Sequence, residues 1–397
     1  MHTTTERVLP MSWPDRAVER VAALLETHLT GAHWPLNVLL YSLTLVFVTT
    51  TPFFNLHYFG APDSSWDTLL QQASALLVPY RGVPGSHDAN KVFRLAIPAF
   101  IKLFNLTAMQ VFIGQVMCGV LILWVMIRIT FAILQDKVST VLFMTSFATC
   151  YCSYSAFYDV FGRIDAFGYL FILLSVYVRK PALVFLFCFL TAWSDERGLI
   201  NTFFTAVYWL YADTGRPTVT ENRLLTFAGL RANKQVLTVL ASWMSYFFIR
   251  WILAHYYGFQ TETGGVGASQ FSITRQFIPL AVFSTYGLVW GILLIAFALV
   301  IARRDWLMAG LLALGMTVNF AVVVMIADIN RSLAYSLPLV VISLALLGQN
   351  LPGHHVRKYL FVLAVFSLMI PIYDFDSHLH YHPTLPVRLV SLLAGVA

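Results

Sequence analysis

The chain alternates long apolar runs with short polar connections. The runs fall at about 35–53, 109–131, 139–157, 165–178, 181–193, 198–212, 235–255, 276–302, 306–326, 332–349 and 359–373. Several approach the roughly 20 residues that cross hydrocarbon as a helix. They predict an all-α polytopic membrane protein with about eleven transmembrane helices. The runs at 165–178, 181–193 and 198–212 are short, so they are expected to be tilted, broken or partly buried in the bundle. No internal repeat of clear period is present, which argues against an inverted-repeat transporter plan.

Between the first two runs lies a connection of about 55 residues, 54–108, far beyond the usual helix–helix link of roughly 2–8. Ser64 or Ser65 can start a helix there, with Leu69, Leu70, Ala73, Leu76 and Leu77 as one apolar stripe. Gly82, Pro84 and Gly85 end it, and a second apolar piece follows from Val92 to Phe104, interrupted by Pro98. Both pieces read as helices lying at the interface rather than spanning. Ahead of the first run, Val18, Val21, Leu25 and Leu29 recur at helical spacing among Arg16, Glu19, Arg20 and Glu26, a helix lying on the membrane surface or anchoring the first crossing. The expected plan is a cytoplasmic amphipathic segment 1–34, a bundle 35–373 including the first outer loop 54–108, and a tail 374–397 on the outer face.

Composition agrees with the pattern. The 397 residues are 58% hydrophobic and 11% charged, with a mean hydropathy of +0.73. Soluble domains carry roughly 25% charge, so a soluble globular protein is excluded. The net charge of +6 comes from dispersed basic residues, which argues against nucleic-acid binding. Cys118, Cys150, Cys152 and Cys188 all lie in apolar runs and form neither a disulfide framework nor a zinc pattern. No signal peptide with a cleavage site is expected ahead of the first run. Placing the N-terminus in the cytoplasm puts 15 of the 25 lysines and arginines on the inner side and satisfies the positive-inside rule.

The predicted inner connections carry bare basic pairs, Arg179-Lys180 and Arg303-Arg304, whereas the outer ones mix acids with arginines. The first outer loop holds Asp63, Asp67, His87, Asp88, Lys91 and Arg94; later ones hold Asp159, Arg163 and Asp165, then Asp195, Glu196 and Arg197, then Asp328, Asn330 and Arg331. Ionised groups near hydrocarbon are expensive unless paired or wet, so they are candidate functional residues. Each acid could instead cap the helix that follows it, but capping needs no arginine beside the acid. The same chemistry at several boundaries predicts one convergent polar cavity.

The stretch Phe59-Gly-Ala-Pro-Asp63-Ser-Ser-Trp-Asp67, followed by Ala73, Gly82, His87, Lys91, Arg94 and Pro98, resembles the GT-C superfamily of polyprenyl-phosphate-sugar-dependent glycosyltransferases. Their first crossing leads to an acid and a long outer loop with interfacial helices. The resemblance spans about residues 35–200, and it implies a minimal version without a soluble C-terminal domain. It implies that Asp63 or Asp67 takes the acceptor's proton, and that Arg163, Arg197 and Arg331 bind the donor phosphate. Asp159, Asp165, Asp195 and Glu196 would be supporting acids that orient the arginines or hold a divalent cation, Mg or Mn. The implied partners are a polyprenyl-phosphate-linked sugar and the lipid bilayer, and the implied location is a bacterial inner membrane.

Near the end, Asp374, Asp376, His378, His380 and His382 recur at every second position. In one extended strand all five would share a side, which makes His378, His380 and His382 candidate metal ligands. Two other functions compete: a transporter or flippase, with ionisable groups on broken helices at mid-membrane, and an O-antigen polymerase- or ligase-like enzyme, with its long loop later in the chain.

Overall fold

The structure, a computed structural model, describes residues 13–50, 56, 59–60, 64–79, 91–213, 233–261, 271–272, 275–326, 328–375, 379–382, 386–387, 390 and 394. Helices account for nearly all of it: α1 (Trp13–His28), α2 (Trp34–Thr50), α3 (Trp66–Ser74), α4 (Ala96–Phe104), α5 (Ala108–Leu134), α6 (Lys137–Phe147), α7 (Tyr151–Tyr158), α8 (Asp165–Tyr177) and α9 (Pro181–Ser194). There follow α10 (Glu196–Asp213), α11 (Lys234–Tyr257), α12 (Ile278–Tyr286), α13 (Trp290–Ala302), α14 (Trp306–Val323), α15 (Ile329–Ala334), α16 (Leu337–Asn350) and α17 (Gly353–Met369). A short antiparallel hairpin, β1 (Ile372–Phe375) and β2 (Leu379–His382), comes last.

Four stretches are long and apolar enough to cross a membrane, Ala108–Leu134, Lys234–Tyr257, Ile278–Ala302 and Trp306–Val323, and shorter apolar helices pack between them. This is a helical membrane protein whose surroundings are a lipid bilayer. The exposed faces agree: Met244, Phe247, Phe248 and Trp251 of α11 all lie uncovered, as expected where lipid is the solvent.

Local sequence sets the boundaries. Thr107 and Gln110 form a reciprocal capping box at the start of α5, and Asp136 caps α6 by accepting from the Val138 and Ser139 backbone N–H groups. Pro98 does not interrupt α4: it sits in the first turn, where a missing N–H breaks no intrahelical bond. Ser65 precedes α3 without capping it through its side chain, because its hydroxyl accepts from Lys91 Nζ at 2.7 Å.

The short runs at 165–178, 181–193 and 198–212 are single unbroken helices. Breaks occur instead inside three runs that look continuous by hydropathy. The run 139–157 divides into α6 and α7 around Cys150, 276–302 divides at Gly287 (φ +51°), and 332–349 divides between α15 and α16. The breaks touch each other. Cys150 Sγ donates to the Tyr286 carbonyl at 3.5 Å, and the Tyr286 hydroxyl donates to the carbonyls of Leu333 and Ala334 at 3.2 and 3.0 Å. Backbone groups freed by one break are thus satisfied by side chains from another, as an apolar medium requires.

Two ends of the bundle can be told apart by their bonds. At one, α1 buries Val18, Ala22 and Leu29 and packs on α6 and α17. There Arg357 reaches Asp136 at 3.1 Å and Glu26 at 3.4 Å, and Lys137 Nζ donates to the Leu29 carbonyl. The amphipathic segment therefore docks on protein through its apolar stripe. At the opposite end lie α3, α4 and the connections before α8 and α10.

Candidate functional site

The second end is built around ions. Asp165, in the first turn of α8, pairs with Arg331 Nε of α15 at 2.5 Å, and Arg331 Nη1 pairs with Asp328 at 2.6 Å. Arg197, in the first turn of α10, stands 3.7 Å from Asp165 and bonds both oxygens of Asp195. Arg94, just before α4, reaches Asp195 at 2.9 Å and Glu196 at 3.4 Å, and Glu196 in turn faces Arg250 of α11 at 3.4 Å. Acids and arginines alternate along one continuous chain drawn from five regions of sequence.

Its centre is out of water. Asp195, Arg331, Arg197 and Asp165 are 0%, 3%, 5% and 7% exposed. Buried charges persist only when paired and hydrogen-bonded, and these are. Asp195 Oδ1 also accepts from the Arg197 backbone N–H, so one carboxylate caps α10 and pairs with arginine at once. Arg197 Nη1 donates to Ser332 Oγ at 2.9 Å, and the Tyr169 hydroxyl donates to the Arg331 carbonyl at 3.0 Å. Burial alone would raise the Asp195 pKa, but Arg197 and Arg94 outweigh it and hold the carboxyl well below the usual range. Beneath the ions, Asn201, Asn319 and Ser336 bond one another in a closed triangle, Asn201 to Asn319 at 3.2 Å, Asn319 to Ser336 at 2.6 Å and Ser336 to Asn201 at 2.9 Å.

Asp159, between α7 and α8, behaves differently. It is 8% exposed, and its side chain accepts from the Phe161 backbone N–H at 3.2 Å. Burial raises its pKa; nearby Arg163 opposes the shift and Asp165 adds to it. Arg331 Nη2 is buried without a partner among the described residues.

Beside the network a small pocket opens between α3 and the 159–164 connection. Its polar lining comes from Ser65, Thr68, Gln72, Lys91, Arg94 and Arg163. Trp66 fixes this wall: its indole N–H donates to the Val160 carbonyl at 2.8 Å, and the Ser65 N–H donates to the Phe161 carbonyl at 2.7 Å. Gly162 (φ +76°) passes so close that a Cβ there would stand 2.9 Å from the indole. The first long connection is therefore fastened to the bundle at Ser65, Trp66 and Arg94.

No family model, curated protein or solved structure matches this chain.

The sequence candidates divide by place. Asp165, Asp195, Glu196, Arg197 and Arg331 join one network. Asp159 lies beside it, and Arg163 lines the pocket. Arg197 and Arg331 are enclosed by carboxylates, and neither lines the pocket. Asp67 is exposed on α3, whereas the pocket takes Thr68, Leu69 and Gln72 from that helix. Asp63 and His378 lie outside the described residues, and His380 and His382 are in β2. Among the described residues no group of three His, Cys, Asp or Glu side chains could hold a metal ion.

The sequence marks Lys91 and Arg94 as loop ions without giving them a binding role, and it gives none to Arg250 or to Ser65, Thr68 and Gln72. A signal existed for the last three: polar residues at i, i+3 and i+7 form a second line along α3 beside its apolar stripe. Arg250 falls within the apolar run 235–255, and its pairing with Glu196 places it at the ionic end.

Proposed function

We propose that the chain is an integral-membrane glycosyltransferase of GT-C type, moving a sugar from a polyprenyl-phosphate donor to a lipid-linked or cell-envelope acceptor. The observation that carries this reading is the pocket in which Lys91, Arg94 and Arg163 meet Ser65, Thr68 and Gln72 beneath α3. Three cationic side chains with neutral hydroxyl and amide groups suit a phosphate, through point charge from lysine and directed pairs from arginine. A lipid-phosphate donor also explains a pocket bordered by a short amphipathic helix in a membrane protein: the tail remains in lipid while the head group enters.

In this reading the phosphate role falls to Arg163 and Lys91, with Arg94 joining the lining while it pairs with Asp195 and Glu196. Arg197 and Arg331 lie outside the pocket lining, their charges taken up by Asp165, Asp195 and Asp328. They hold the site's field fixed before substrate arrives, which is how preorganised charge favours a transition state. The departing phosphate is stabilised from the basic side, and a carboxylate on the attacking side removes the acceptor hydroxyl proton. Asp63 is the better placed of the two candidates in sequence, two residues before the pocket-lining Ser65, since Asp67 is not part of the lining.

The proposed topology has eleven passages: α2, α5, α6–α7, α8, α9, α10, α11, α12–α13, α14, α15–α16 and α17. Supporting it, the starts of α6 and α17 meet α1 at one end, while the starts of α8 and α10 meet at the other. The positive-inside rule makes the α1 end cytoplasmic and the ionic end the outer face of what we take to be a bacterial inner membrane. A divalent cation remains a proposal for the donor-bound state.

A transporter or flippase is favoured by one observation, the three helix breaks that meet at Tyr286. Direct binding separates the readings. Purified protein should bind polyprenyl phosphate saturably, and Lys91→Ala and Arg163→Ala should each weaken binding about tenfold or more, as loss of a charge-assisted contact of roughly 1.5–3 kcal/mol does. Unchanged binding in both variants would overturn the pocket assignment.

A further inference from the structure

Arg94 belongs to two sets of contacts at once. It lines the pocket beneath α3 together with Lys91 and Arg163. Its Nη1 pairs with Asp195 at 2.9 Å and its Nε with Glu196 at 3.4 Å, which leaves Nη2 without a partner among the described residues. The two carboxylates hold it differently. Asp195 is fully buried and takes Arg197 on both oxygens, so its place is fixed. Glu196, the first residue of α10, is partly exposed and bridges Arg94 on one oxygen and Arg250 of α11 on the other, each at 3.4 Å. Those contacts are longer than the roughly 2.7–2.9 Å of a charge-assisted hydrogen bond. Arg250 in turn lies over the Phe93 ring, 4.1 Å from its centroid, and donates to the Tyr246 hydroxyl. A carboxylate is thus held one guanidinium away from the pocket.

A charge so placed acts on a guest in proportion to the guest's own charge. In the reading above the guest arrives as a phosphodiester, since a polyprenyl-phosphate-linked sugar carries one negative charge. Transfer breaks the bond between the anomeric carbon of the sugar and the phosphate oxygen, which keeps the electron pair. The acceptor oxygen bonds that carbon, and its proton passes to the base. The phosphate is left as a monoester with a charge of about −1.5 to −2 at pH 7. Lys91, Arg94 and Arg163 by themselves would hold that product more tightly than the donor.

We propose that Glu196 sets the charge selectivity of the pocket, weakening its hold on a dianionic phosphomonoester more than on a monoanionic phosphodiester. Glu196 does not touch the guest; it acts by its charge from behind Arg94. This selectivity rests on the phosphate reading of the pocket. A phosphate bonded to the far side of the Arg94 guanidinium sits about 8 Å from the Glu196 carboxylate. At that distance and water-like screening, one unit of charge on the guest changes affinity about 2.4-fold and two units about sixfold. The spent carrier is therefore released more readily than the basic lining alone would allow.

The test compares two probes on the purified full-length protein in detergent, polyprenyl monophosphate and its methyl phosphodiester, at low and fixed ionic strength. Glu196→Gln should raise affinity for the monoester about sixfold and for the diester about 2.4-fold, shifting the ratio between the probes about 2.4-fold. Glu196→Asp keeps the charge and should leave the ratio as in wild type. An equal gain for both probes, or no gain, would overturn the proposal. A ratio shifted as far by Glu196→Asp would also overturn it, because side-chain shape rather than charge would then be the cause. Failure of the phosphate reading looks different: neither probe would bind wild-type protein saturably, and the selectivity would fall with it.

Discussion

Neutralising Asp195 and neutralising Glu196 should have sharply different consequences, although the two residues are adjacent and both face arginines. The Asp195 side chain is 1% exposed and lies between Arg197 and Arg94, whereas Glu196 is 29% exposed and faces Arg94 and Arg250, each at 3.4 Å. Asp195→Asn keeps the shape and the cap but strands two guanidinium groups beside an uncharged amide. Removing one partner from a buried pair costs about 3–5 kcal/mol. Glu196→Gln loosens longer, partly solvated pairs, for which about 1 kcal/mol or less is expected. Unfolding followed by tryptophan fluorescence in mixed micelles of rising denaturing-detergent fraction would measure both. The same series gives a sign test against pH. Since Arg197 and Arg94 hold the Asp195 carboxyl below its usual range, its stabilisation is present above an unfolded pKa near 4 and is lost only as pH falls through the lower folded value. The gap between wild type and Asp195→Asn should therefore persist down to about pH 4. Equal losses for the two variants, or a gap that closes by about pH 5, would refute the claim that the buried centre of the network holds this end of the bundle together.

Other expectations follow from the same geometry. Asp159 has a raised pKa because burial disfavours its charge, so stability declines as pH rises from the unfolded value near 4 through the folded one; Asp159→Asn should remove that decline and leave thermal stability more nearly flat between about pH 4 and 7 in a melting series. Gly162→Ala should destabilise by about 2–4 kcal/mol, combining a left-handed backbone with overpacking against Trp66, and it should expose that indole to a fluorescence quencher. At the opposite end Arg357→Ala loses contacts to Asp136 and Glu26, both partly solvated; a loss of about 1 kcal/mol or less is expected, with faster proteolysis near α1 as the readout.

Much of the architecture was legible because hydrocarbon imposes length and apolarity, and those survive as plain runs in the sequence. The breaks at Cys150, Gly287 and Ser336 were not. Residues on both sides are apolar, and the compensation comes from the Tyr286 and Cys150 side chains across the bundle rather than from neighbours in sequence. The site was half legible. Acids beside arginines at helix boundaries point to one ionic end, but sequence cannot say which arginine is consumed by carboxylates. Arg197 and Arg331 look like phosphate ligands on the page of letters and prove to be enclosed by Asp195, Asp165 and Asp328. Lys91 and Arg94 are visible as outer-loop ions but not as neighbours of Arg163, and they line the pocket because Trp66 and Ser65 pin the first connection to the 159–164 segment. The alternation at 374–382 carries no mark of the antiparallel pairing of β1 with β2.

The central claim is that a lipid phosphate sits beneath α3. Photo-crosslinking tests it most directly, using polyprenyl phosphate with a diazirine close to the phosphate and mapping the adducts on wild-type protein by mass spectrometry. The account predicts adducts concentrated in residues 65–72, 91–95 and 159–164, displaced by excess unlabelled polyprenyl phosphate. Adducts confined to the α1 and α17 end, or spread without competition along the lipid-facing helices, would contradict it.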